Sequence, residues 1–349
     1  MSASTTNEEA SGRATTRRRD DDRNIPIMPV VTGCVFFMVL GMAVVMGVLY
    51  VPLVYNPQDL SGKTFLVTGC TPNGIGFESA KMLLEWNASR VVCTARDEKK
   101  ALEVKSLLSK VSKVGGVVDV EILELMKFSS VRQTARSLAM NYPKFDGVLL
   151  NAGLMSDNKR ITVDGFDEMF QVNHLSQFLL LRLLEARLAP RSRVVFVSSS
   201  SYQFEGKLSK KEYGEKPGGR VHSDPHSAQW YTYTDTKLMQ VLAANSFARR
   251  HPSKDVVFTS VCPGIVKTGF QARMPKASFT EMIGYLVEYF GRTPRQGAMR
   301  PVQLLTDPKF ANVSGEFFQP YFNFPQSKQV SITNEQWLYD KSSEFVGLK

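Results

Sequence analysis

A short apolar strand runs into a glycine-rich turn and then into an apolar helix, and few folds accommodate that order. Residues 63–68 form the predicted strand, residues 69–76 read Gly-Cys-Thr-Pro-Asn-Gly-Ile-Gly, and residues 77–84 have helical apolar spacing. This arrangement lets backbone approach a pyrophosphate and directs the positive end of a helix at its charge. A glycine cluster alone could form any turn, but in this context we predict that it binds a nucleotide cofactor.

Predicted strands and helices continue to alternate after this unit. Strands are predicted at residues 90–94, 117–123 and 147–150, and helices at residues 129–142 and 162–188. Strands separated by helices imply right-handed crossovers and a parallel sheet that is covered on both faces. No internal repeat or second pattern is visible, so we predict one α/β domain, a Rossmann-type doubly wound parallel sheet, over residues 60–349.

The end of the second predicted strand bears on which cofactor binds. An acidic residue there would hold the ribose hydroxyls of NAD, whereas an arginine can bind the 2'-phosphate of NADP. Thr94 and Ala95 leave the acidic position empty and Arg96 follows at once, which favours NADP(H). Asp97 is the competing residue if the strand ends one position later, and Arg96 could also be an ordinary solvated turn residue.

The amino-terminal part of the chain has a different composition. Residues 1–27 are rich in Ser, Thr and charge, which predicts a disordered tail. Residues 28–55 carry no charge and their centre, residues 30–50, is almost wholly apolar. About 20 such residues cross a bilayer, whereas a cleavable signal has roughly 7–15. We predict a transmembrane helix at residues 28–55 that precedes the domain; a buried core helix is the disfavoured alternative.

The side of the membrane is left open by the sequence. Arginines precede the apolar span, so the positive-inside rule places the domain across the membrane from the cytoplasm. Unpaired thiols and the need for reduced cofactor favour the opposite orientation. Asn87-Ala-Ser89 and Asn312-Val-Ser314 are glycan acceptors only if the domain is lumenal. We expect a single-pass membrane protein, with the endoplasmic reticulum as the predicted location.

Charge and cysteine content exclude some classes of function. The net charge is +10, yet five arginines and five acidic residues cancel within residues 1–24, so the excess lies on the rest of the chain. That part has no basic run with interleaved aromatic residues, so we expect no nucleic-acid partner. A cofactor phosphate or a membrane surface explains the charge better. The four cysteines have no paired spacing, and we expect no metal site.

A tyrosine precedes a lysine by four residues in Tyr233-Thr234-Asp235-Thr236-Lys237. In a helix this spacing places both side chains on one face, where the ammonium can stabilise a phenolate. Such a pair occurs by chance in many helices, where it is an ordinary solvated face. Tyr231 is the competing tyrosine, but the residue four positions later is Asp235.

A series of motifs follows one another along residues 62–349. The motifs are Thr68-Gly69 with Gly74-Ile75-Gly76, then Asn151-Ala152-Gly153, Val172-Asn173-His174, Ser198-Ser199, Tyr233 with Lys237, and Cys262-Pro263-Gly264-Ile265-Val266-Lys267-Thr268. With these motifs in this order, residues 62–349 resemble the classical short-chain dehydrogenase/reductase family. The resemblance implies that the cofactor contacts Thr68, Gly69, Gly74, Ile75, Gly76, Arg96, Asn151, Ala152, Gly153, Tyr233, Lys237, Pro263, Gly264, Val266 and Thr268.

Four further segments are most similar to the membrane-bound, retinol-dehydrogenase-like branch of that family. They are residues 172–180, 293–298, 314–318 and 337–344. Such segments can report shared ancestry without a shared substrate. The branch implies a lipophilic substrate and a membrane as partners, and the family implies a homodimer through the long helices near Asn173 and Tyr233.

The side chains of the motifs suggest a mechanism for reducing a carbonyl. A nearby ammonium and an oxidised nicotinamide both favour the phenolate, so Tyr233 is the predicted general acid in reduction and general base in oxidation. Lys237 is expected to lower the Tyr233 pKa and to bind the nicotinamide ribose, and Ser199 to polarise the substrate carbonyl. The resemblance implies that Asn173 holds a water that links Lys237 to solvent.

Competing residues stand close by in the sequence. Ser198 and Ser200 compete with Ser199, which the family register favours. His174 is more simply a packed helix residue, because the phenol already fills the acid–base role. Glu124-Leu125 stands where the family usually has Asp-Leu, and Glu124 is expected to accept a hydrogen bond from the adenine amino group.

Two features depart from the family pattern in length. Four residues, 70–73, separate Gly69 from Gly74, one more than usual, so this loop is expected to bulge. The 33 residues between Ser199 and Tyr233 include a polar stretch at residues 206–219, which is expected to form a loop beside the substrate mouth.

We therefore expect a membrane-anchored, NADP(H)-dependent oxidoreductase that acts on a carbonyl or alcohol of a retinoid, steroid or fatty-acyl substrate. Within the same class, a 3-ketoacyl or ketosphingoid reductase is an alternative. From another class, the fold could serve as a non-catalytic scaffold that binds the cofactor.

Overall fold

A computed structural model describes residues 57–112, 116–252, 255–269, 291–319 and 325–348. The predicted charged tail at residues 1–27 and the predicted anchor at residues 28–55 lie outside these ranges and stay predictions. Among the helices of the described residues, none has both the length and the apolar character that crossing a bilayer requires.

The described part of the chain contains a sheet of seven parallel strands. They are β1 (Thr64–Val67), β2 (Arg90–Ala95), β3 (Val117–Ile122), β4 (Phe145–Leu150), β5 (Leu188–Val197), β6 (Val256–Val261) and β7 (Glu316–Phe318). Their order in the sheet is β3-β2-β1-β4-β5-β6-β7. This confirms the predicted doubly wound α/β fold.

Helices follow most of the strands and cover both faces of the sheet. They are α1 (Ile75–Glu85), α2 (Glu98–Ser109), α3 (Phe128–Asn141), α4 (Glu168–Phe170, the π-helical turn Gln171–Leu175, and Ser176–Leu184), α5 (Tyr202–Glu205), α6 (Lys210–Tyr213), α7 (Pro225–Arg250), α8 (Pro294–Thr306) and α9 (Ile332–Phe345). Strand side chains alternate between faces: Leu66 packs in one core cluster, and Phe65 and Val67 pack in the other. Burial on both faces explains the continuous apolar runs of the strands.

The prediction of one helix over residues 162–188 was wrong at both ends. An isolated antiparallel bridge joins Ile161 to Asp167, and α4 begins only after Asp167, whose carboxylate accepts the backbone N–H groups of Met169 and Phe170. At the other end, Leu188 is the first residue of β5. A capping carboxylate stops the helix from extending towards the amino terminus, because it occupies the amide donors of the first turn.

The carboxyl-terminal helix α9 packs on both long helices, α4 and α7. The ring of Tyr339 lies 5.2 Å from that of Phe178 on α4 and 5.7 Å from that of Phe247 on α7. Ser342 Oγ lies 2.7 Å from His174 Nε2, and Glu335 accepts a 2.6 Å hydrogen bond from Arg249 Nε. Part of the surface through which a homodimer was expected is therefore covered by the chain itself.

Candidate active site

A cavity of about 890 Å³ opens at the carboxyl ends of the strands. It lies where the strand order reverses between β1 and β4, the usual ligand position in open α/β sheets. The glycine turn forms one end and the Tyr233 region the other. All the residues predicted to contact cofactor line it except Thr68 and Gly76; the lining set is Gly69, Gly74, Ile75, Arg96, Asn151, Ala152, Gly153, Tyr233, Lys237, Pro263, Gly264, Val266 and Thr268.

Thr68 and Asn151 hold the glycine turn against the end of β4. The Thr68 hydroxyl oxygen accepts hydrogen bonds from the backbone N–H of Asn151 at 2.9 Å and of Ala152 at 3.0 Å. In return the Asn151 side chain donates to the carbonyl oxygens of Thr68 at 2.9 Å and Gly69 at 3.2 Å. Thr68 is fully buried, so its role here is to shape the turn from beneath.

The additional residue of the turn is absorbed by local hydrogen bonds. Thr71 N–H donates to Gly69 O, and Gly74 N–H donates to Thr71 O, each at 2.9 Å. Asn73 takes a left-handed conformation with φ of 60°, which Asn tolerates better than most residues. A Cβ on Gly76 would lie 2.6 Å from Gly69 O, so glycine is required where α1 meets the turn.

The start of α1 fits a phosphate. Gly74 is its N-cap and contributes no side-chain hydrogen bond, so no side chain competes for the amides of the first turn. An anion at such a helix terminus is stabilised by those amides and by the helix dipole. The turn and the cavity above it therefore suit the pyrophosphate of a dinucleotide.

At the end of β2, Arg96 and Asp97 have different roles. The Asp97 carboxylate accepts a 2.9 Å hydrogen bond from Lys100 N and caps α2, and Asp97 does not line the cavity. Arg96 lines the cavity and its side chain is 49% exposed, with Nε 3.8 Å from Asp97. Lys100 also lines the cavity, and sequence reasoning missed it although it stands four positions after Arg96.

Glu124 lines the cavity at the end of β3, but part of its carboxylate is already engaged. Oε1 accepts a 3.1 Å hydrogen bond from Met126 N, within its own loop. A carboxylate can accept several hydrogen bonds, so Glu124 can still accept the expected bond from an adenine amino group.

Asn173, Tyr233 and Lys237 come together between α4 and α7. Lys237 Nζ lies 5.5 Å from the centre of the Tyr233 ring, and it donates to Val197 O at 3.0 Å and to Gln240 Oε1 at 3.1 Å. Asn173 sits on the π-helical turn of α4 and is fully buried. Its side chain donates to Leu154 O at 2.9 Å and to Thr236 Oγ1 at 3.0 Å.

Gly153 and Gln240 bring the lysine and the asparagine close to each other. A Cβ on Gly153 would lie 3.2 Å from Asn173 Oδ1 and 3.5 Å from Lys237 Nζ. The Gln240 side chain accepts from Lys237 and donates to Asn173 O at 2.9 Å. Gln240 was not predicted from the sequence, although a polar residue three positions after Lys237 lies on the same helix face.

The three candidate serines have different partners. Ser198 Oγ donates to Lys237 O at 2.7 Å and is buried. Ser199 hydrogen-bonds the Tyr233 phenol, and its Oγ also accepts from Ser201 Oγ at 3.0 Å. Ser200 Oγ lies 3.5 Å from Gln319 Oε1. Of the three, Ser199 is the one in hydrogen-bond contact with Tyr233.

Tyr231 and His174 both lie away from the cavity. Tyr231 is not among its lining residues, and its ring packs against His222 with 5.4 Å between centroids. His174 bonds Ser342 and stacks on Phe170, and burial lowers its pKa to about 3. This histidine is therefore neutral and packed between helices at physiological pH.

Burial dominates the electrostatics of the Tyr233–Lys237 pair. It raises the pKa of Tyr233, Cys262 raises it further, and the hydrogen bond with Ser199 opposes the shift. Burial also lowers the pKa of Lys237 to about 8. The net shift of the Tyr233 pKa is upward because desolvation of the phenolate outweighs the hydrogen bond with Ser199. That Lys237 lowers the Tyr233 pKa stays a prediction.

The cavity wall around the phenol is apolar. Met155, Met169 and Tyr233 form a buried cluster, and Leu154 and Trp230 pack against it. Phe204, which is 66% exposed, lines the same end of the cavity. This wall suits an apolar substrate next to a polar reacting group.

The expectation for the polar stretch at residues 206–219 was wrong. Between Ser199 and Tyr233, the residues that line the cavity are Ser200, Ser201, Phe204 and Trp230. The polar stretch instead packs against α7 and α4, where the buried Tyr213 contacts Phe170 and donates a 2.9 Å hydrogen bond to the buried Asp235. A buried carboxylate that needs partners explains this course, because an unpaired charge in the interior is costly.

Several known proteins are similar to this chain over most of its length. A family model described as short chain dehydrogenase matches residues 63–213. Retinol dehydrogenase 14 of Homo sapiens is 31% identical over 313 residues, covering 84% of this chain and 89% of the relative. The WW domain-containing oxidoreductase of Danio rerio is 29% identical over 292 residues, covering 81% and 69%.

Solved structures show the same fold at lower identity. A short-chain dehydrogenase/reductase from Serratia marcescens superposes with a TM-score of 0.58 at 20% identity, covering 75% of this chain and 97% of the other. An uncharacterised protein from Mycobacterium paratuberculosis superposes with a TM-score of 0.64 at 21% identity, covering 84% and 96%.

Proposed function

Since this chain belongs to the short-chain dehydrogenase/reductase family and is retinol-dehydrogenase-like, we propose that it is a membrane-anchored, NADP(H)-dependent oxidoreductase acting on a carbonyl or alcohol of a lipophilic substrate. The family uses NAD or NADP. The observation that carries the proposal is the convergence of Ser199, Tyr233 and Lys237 at the apolar end of one cavity, with Asn173 buried behind them and linked to Lys237 through Gln240.

The proposed chemistry assigns each of these side chains a task. A bound nicotinamide supplies or takes up a hydride at the substrate carbon. Tyr233 gives its proton to the carbonyl oxygen, a role suited to a buried phenol that is neutral at rest. Ser199 donates a hydrogen bond to the same oxygen. Lys237 favours the phenolate that forms and is itself held by Gln240 and Val197 O, while Asn173 orders the route by which a proton returns.

Arg96 and Lys100 support NADP(H) as the cofactor. Both line the cavity at the end of β2, where two cations can bind a 2'-phosphate. Asp97, the residue that could have held ribose hydroxyls, caps α2 instead. Because Asp97 is engaged in this cap, it is less suited to holding the ribose hydroxyls of NAD.

The apolar wall and the retinol dehydrogenase relatives support a lipophilic substrate of the retinoid, steroid or fatty-acyl type. A 3-ketoacyl or ketosphingoid reductase uses the same wall and stays an alternative within the class. The intact arrangement around Tyr233 disfavours a non-catalytic scaffold that only binds the cofactor.

The proposed setting is a membrane, reached through the apolar residues 28–55, with the endoplasmic reticulum as the expected location and the side left open. The homodimer also stays a prediction. Because α9 packs on α4 and α7, a dimer through those helices would use the surface that α9 leaves exposed or would displace it.

Replacing Tyr233 by Phe tests the proposed function. We expect turnover with NADPH on a panel of lipid aldehydes and ketones to fall by about a hundredfold or more, because general acid–base catalysis supplies roughly that factor. NADPH affinity, measured by fluorescence, is expected to change little, since only one hydroxyl is removed.

Tyr231→Phe is the matched control, because it removes the same hydroxyl two residues away and outside the cavity lining. We expect it to retain wild-type turnover. Unchanged turnover in Tyr233→Phe would contradict the proposed mechanism. If the wild type binds NADPH but turns over no carbonyl, the non-catalytic scaffold is favoured.

A further inference from the structure

A buried carboxylate lies in the middle of the Tyr233–Lys237 motif and takes no part in the chemistry above. Asp235 is 0% exposed. Its oxygens accept four hydrogen bonds: from Lys207 N at 2.6 Å, Tyr213 OH at 2.9 Å, and Arg220 Nε and Nη2 at 2.6 and 3.0 Å. All four donors belong to residues 206–220, here called the insert, so one side chain of α7 binds this segment at three of its residues.

The insert also reaches the helix that carries Asn173. The Tyr213 ring packs edge-on against Phe170 with 5.1 Å between centroids, and Phe170 directly precedes the π-helical turn of α4. On the other side, Arg220 N donates to Thr232 Oγ1 at 2.8 Å, next to Tyr233. Asp235 therefore ties the insert to both helices of the catalytic site.

The start of the insert continues directly from the substrate wall. Helix α5 lies between Ser199 and the insert, and its Phe204 lines the cavity. Gly206 follows α5, and a Cβ there would lie 3.1 Å from Thr234 O of the catalytic helix. The next residue, Lys207, is bonded to Asp235, so the position of Phe204 depends on how the insert is held.

A charged pair is an unusual choice for stability alone. Burying Asp235 with Arg220 requires desolvation of both groups, and well-packed apolar residues often stabilise a core as much. The Arg220 guanidinium and the Asp235 carboxylate form paired hydrogen bonds, and such bonds fix the orientation of one side chain relative to the other. The pair is thus better suited to fixing a position than to adding stability.

We propose that Asp235 is a positioning residue that, through Arg220, Tyr213 and Lys207 N, holds the insert on α7 and so sets the wall that Phe204 presents to the substrate beside Ser199. This proposal rests on the proposed function. It predicts that loss of the pair affects the fit of large substrates more than the reaction itself.

The test compares Asp235→Asn and Arg220→Lys with Arg249→Lys. Arg249 is the matched control: it too belongs to α7 and its Nε lies 2.6 Å from a buried carboxylate, that of Glu335, but it contacts α9 and not the insert. KM and kcat are measured for a long-chain and a short-chain aldehyde, together with the Kd for NADPH and the Tm.

For the two insert variants, we expect kcat/KM on the long-chain aldehyde to fall about tenfold, mainly through KM, because small displacements at a site cost such factors. The short-chain aldehyde and NADPH are expected to change by less than about twofold, since Ser199, Tyr233 and the cofactor contacts stay in place. Arg249→Lys is expected to lower the Tm and to change kcat/KM equally for the long-chain and the short-chain aldehyde. Equal losses on both aldehydes, or a long-chain effect in Arg249→Lys, overturn the proposal.

A second readout does not depend on activity. Lys207, Lys210 and Lys211 are exposed sites for trypsin within the insert, and cleavage there requires local opening. We expect cleavage at these lysines to be at least about tenfold faster in Asp235→Asn than in wild type at the same fraction folded. Unchanged cleavage overturns the holding role of Asp235. If the wild type turns over no carbonyl or alcohol, the proposed function fails, and the trypsin rates still decide separately whether Asp235 holds the insert.

Discussion

At the scale of single residues, the proposed choice of NADP over NAD rests on Arg96. Replacing it by Asp places a negative charge beside the proposed 2'-phosphate site at the end of β2, where the side chain is 49% exposed. Hydrogen bonds to charged groups contribute about 1.5–3 kcal/mol, so we expect the NADPH-to-NADH ratio of kcat/KM to fall by about ten- to a hundredfold. Steady-state kinetics with both cofactors measure this ratio.

Lys105→Asp on α2 is the control, because it makes the same charge change at an exposed residue that does not line the cavity. We expect it to leave the ratio within about twofold, since exposed charges at a distance are screened. A native protein that uses NADH and NADPH equally well would contradict the role given to Arg96.

The residues that sequence reasoning found are those whose spacing carries their chemistry. The four-residue spacing places Tyr233 and Lys237 on one face of a helix whether that face is buried or exposed, so the pair could be predicted. The sign of the Tyr233 pKa shift could not, because it depends on desolvation, which only the packed structure shows. Asp235 was missed for a related reason, because its partners Lys207 and Arg220 are distant in sequence. Gln240 was missed although one partner, Lys237, is three residues away; its other partner, Asn173 O, is distant.

At the scale of elements, the strand, glycine turn and first helix were predictable from local pattern, whereas the start of α4 was not. Residues 162–167 have apolar content compatible with a helix, but the Asp167 carboxylate caps α4 and a bridge to Ile161 closes the preceding turn. The π-helical turn that presents Asn173 has no recognisable sequence pattern either.

Asp167 also gives this helix start a pH dependence. The side chain is 1% exposed, and burial raises its pKa to about 6, opposed by hydrogen bonds from Phe170 and Met169 N. A folded pKa above the unfolded one stabilises the fold below about pH 4, and this contribution is lost as pH rises through 6. Asp167→Asn keeps an oxygen for the cap and removes the charge. We expect its stability relative to wild type to be about 1–2 kcal/mol more favourable at pH 8 than at pH 5.

Urea denaturation at the two pH values measures this difference. Asp224→Asn is the control, because Asp224 caps α7 in the same way but its pKa is lowered, first by the hydrogen bond from Ser227. Asp224 is ionised at both pH values in both states, so the stability of its variant relative to wild type is expected to stay constant between them. A pH-independent difference for Asp167→Asn would show that its carboxylate is not the titrating group.

At the scale of the whole molecule, alternating strands and helices predicted the fold, but packing between distant parts of the chain was not predictable. Helix α9 comes last in the sequence and meets α4 and α7 through an aromatic cluster of Tyr339, Phe178 and Phe247. Its own polar and apolar residues indicate an amphipathic helix and leave its partner undefined. The insert is a second case, since the carboxylate that holds it lies beyond its own end, on α7.

The predicted membrane anchor is the remaining property of the whole molecule that a single change can test. Val44 lies near the centre of the apolar residues 28–55. An arginine at the centre of a transmembrane helix costs about 2.5–3.5 kcal/mol. We therefore expect the full chain with Val44→Arg to lose retention in membranes after alkaline carbonate extraction, whereas the wild type is retained.

Val221→Arg is the matched control, because it makes the same substitution at a residue of the domain that is 80% exposed. It is expected to remain with the membranes, and release of both variants or of neither would contradict an anchor at residues 28–55.

Asn87 and Asn312 are exposed, so both acceptor sites are open to glycosylation if the domain faces the lumen. A mobility shift of the wild-type chain on glycosidase treatment places the domain there. A site that uses NADP(H) binds the cofactor of the compartment that it faces. The side of the membrane therefore also determines whether the ratio of reduced to oxidised cofactor favours reduction or oxidation of the substrate.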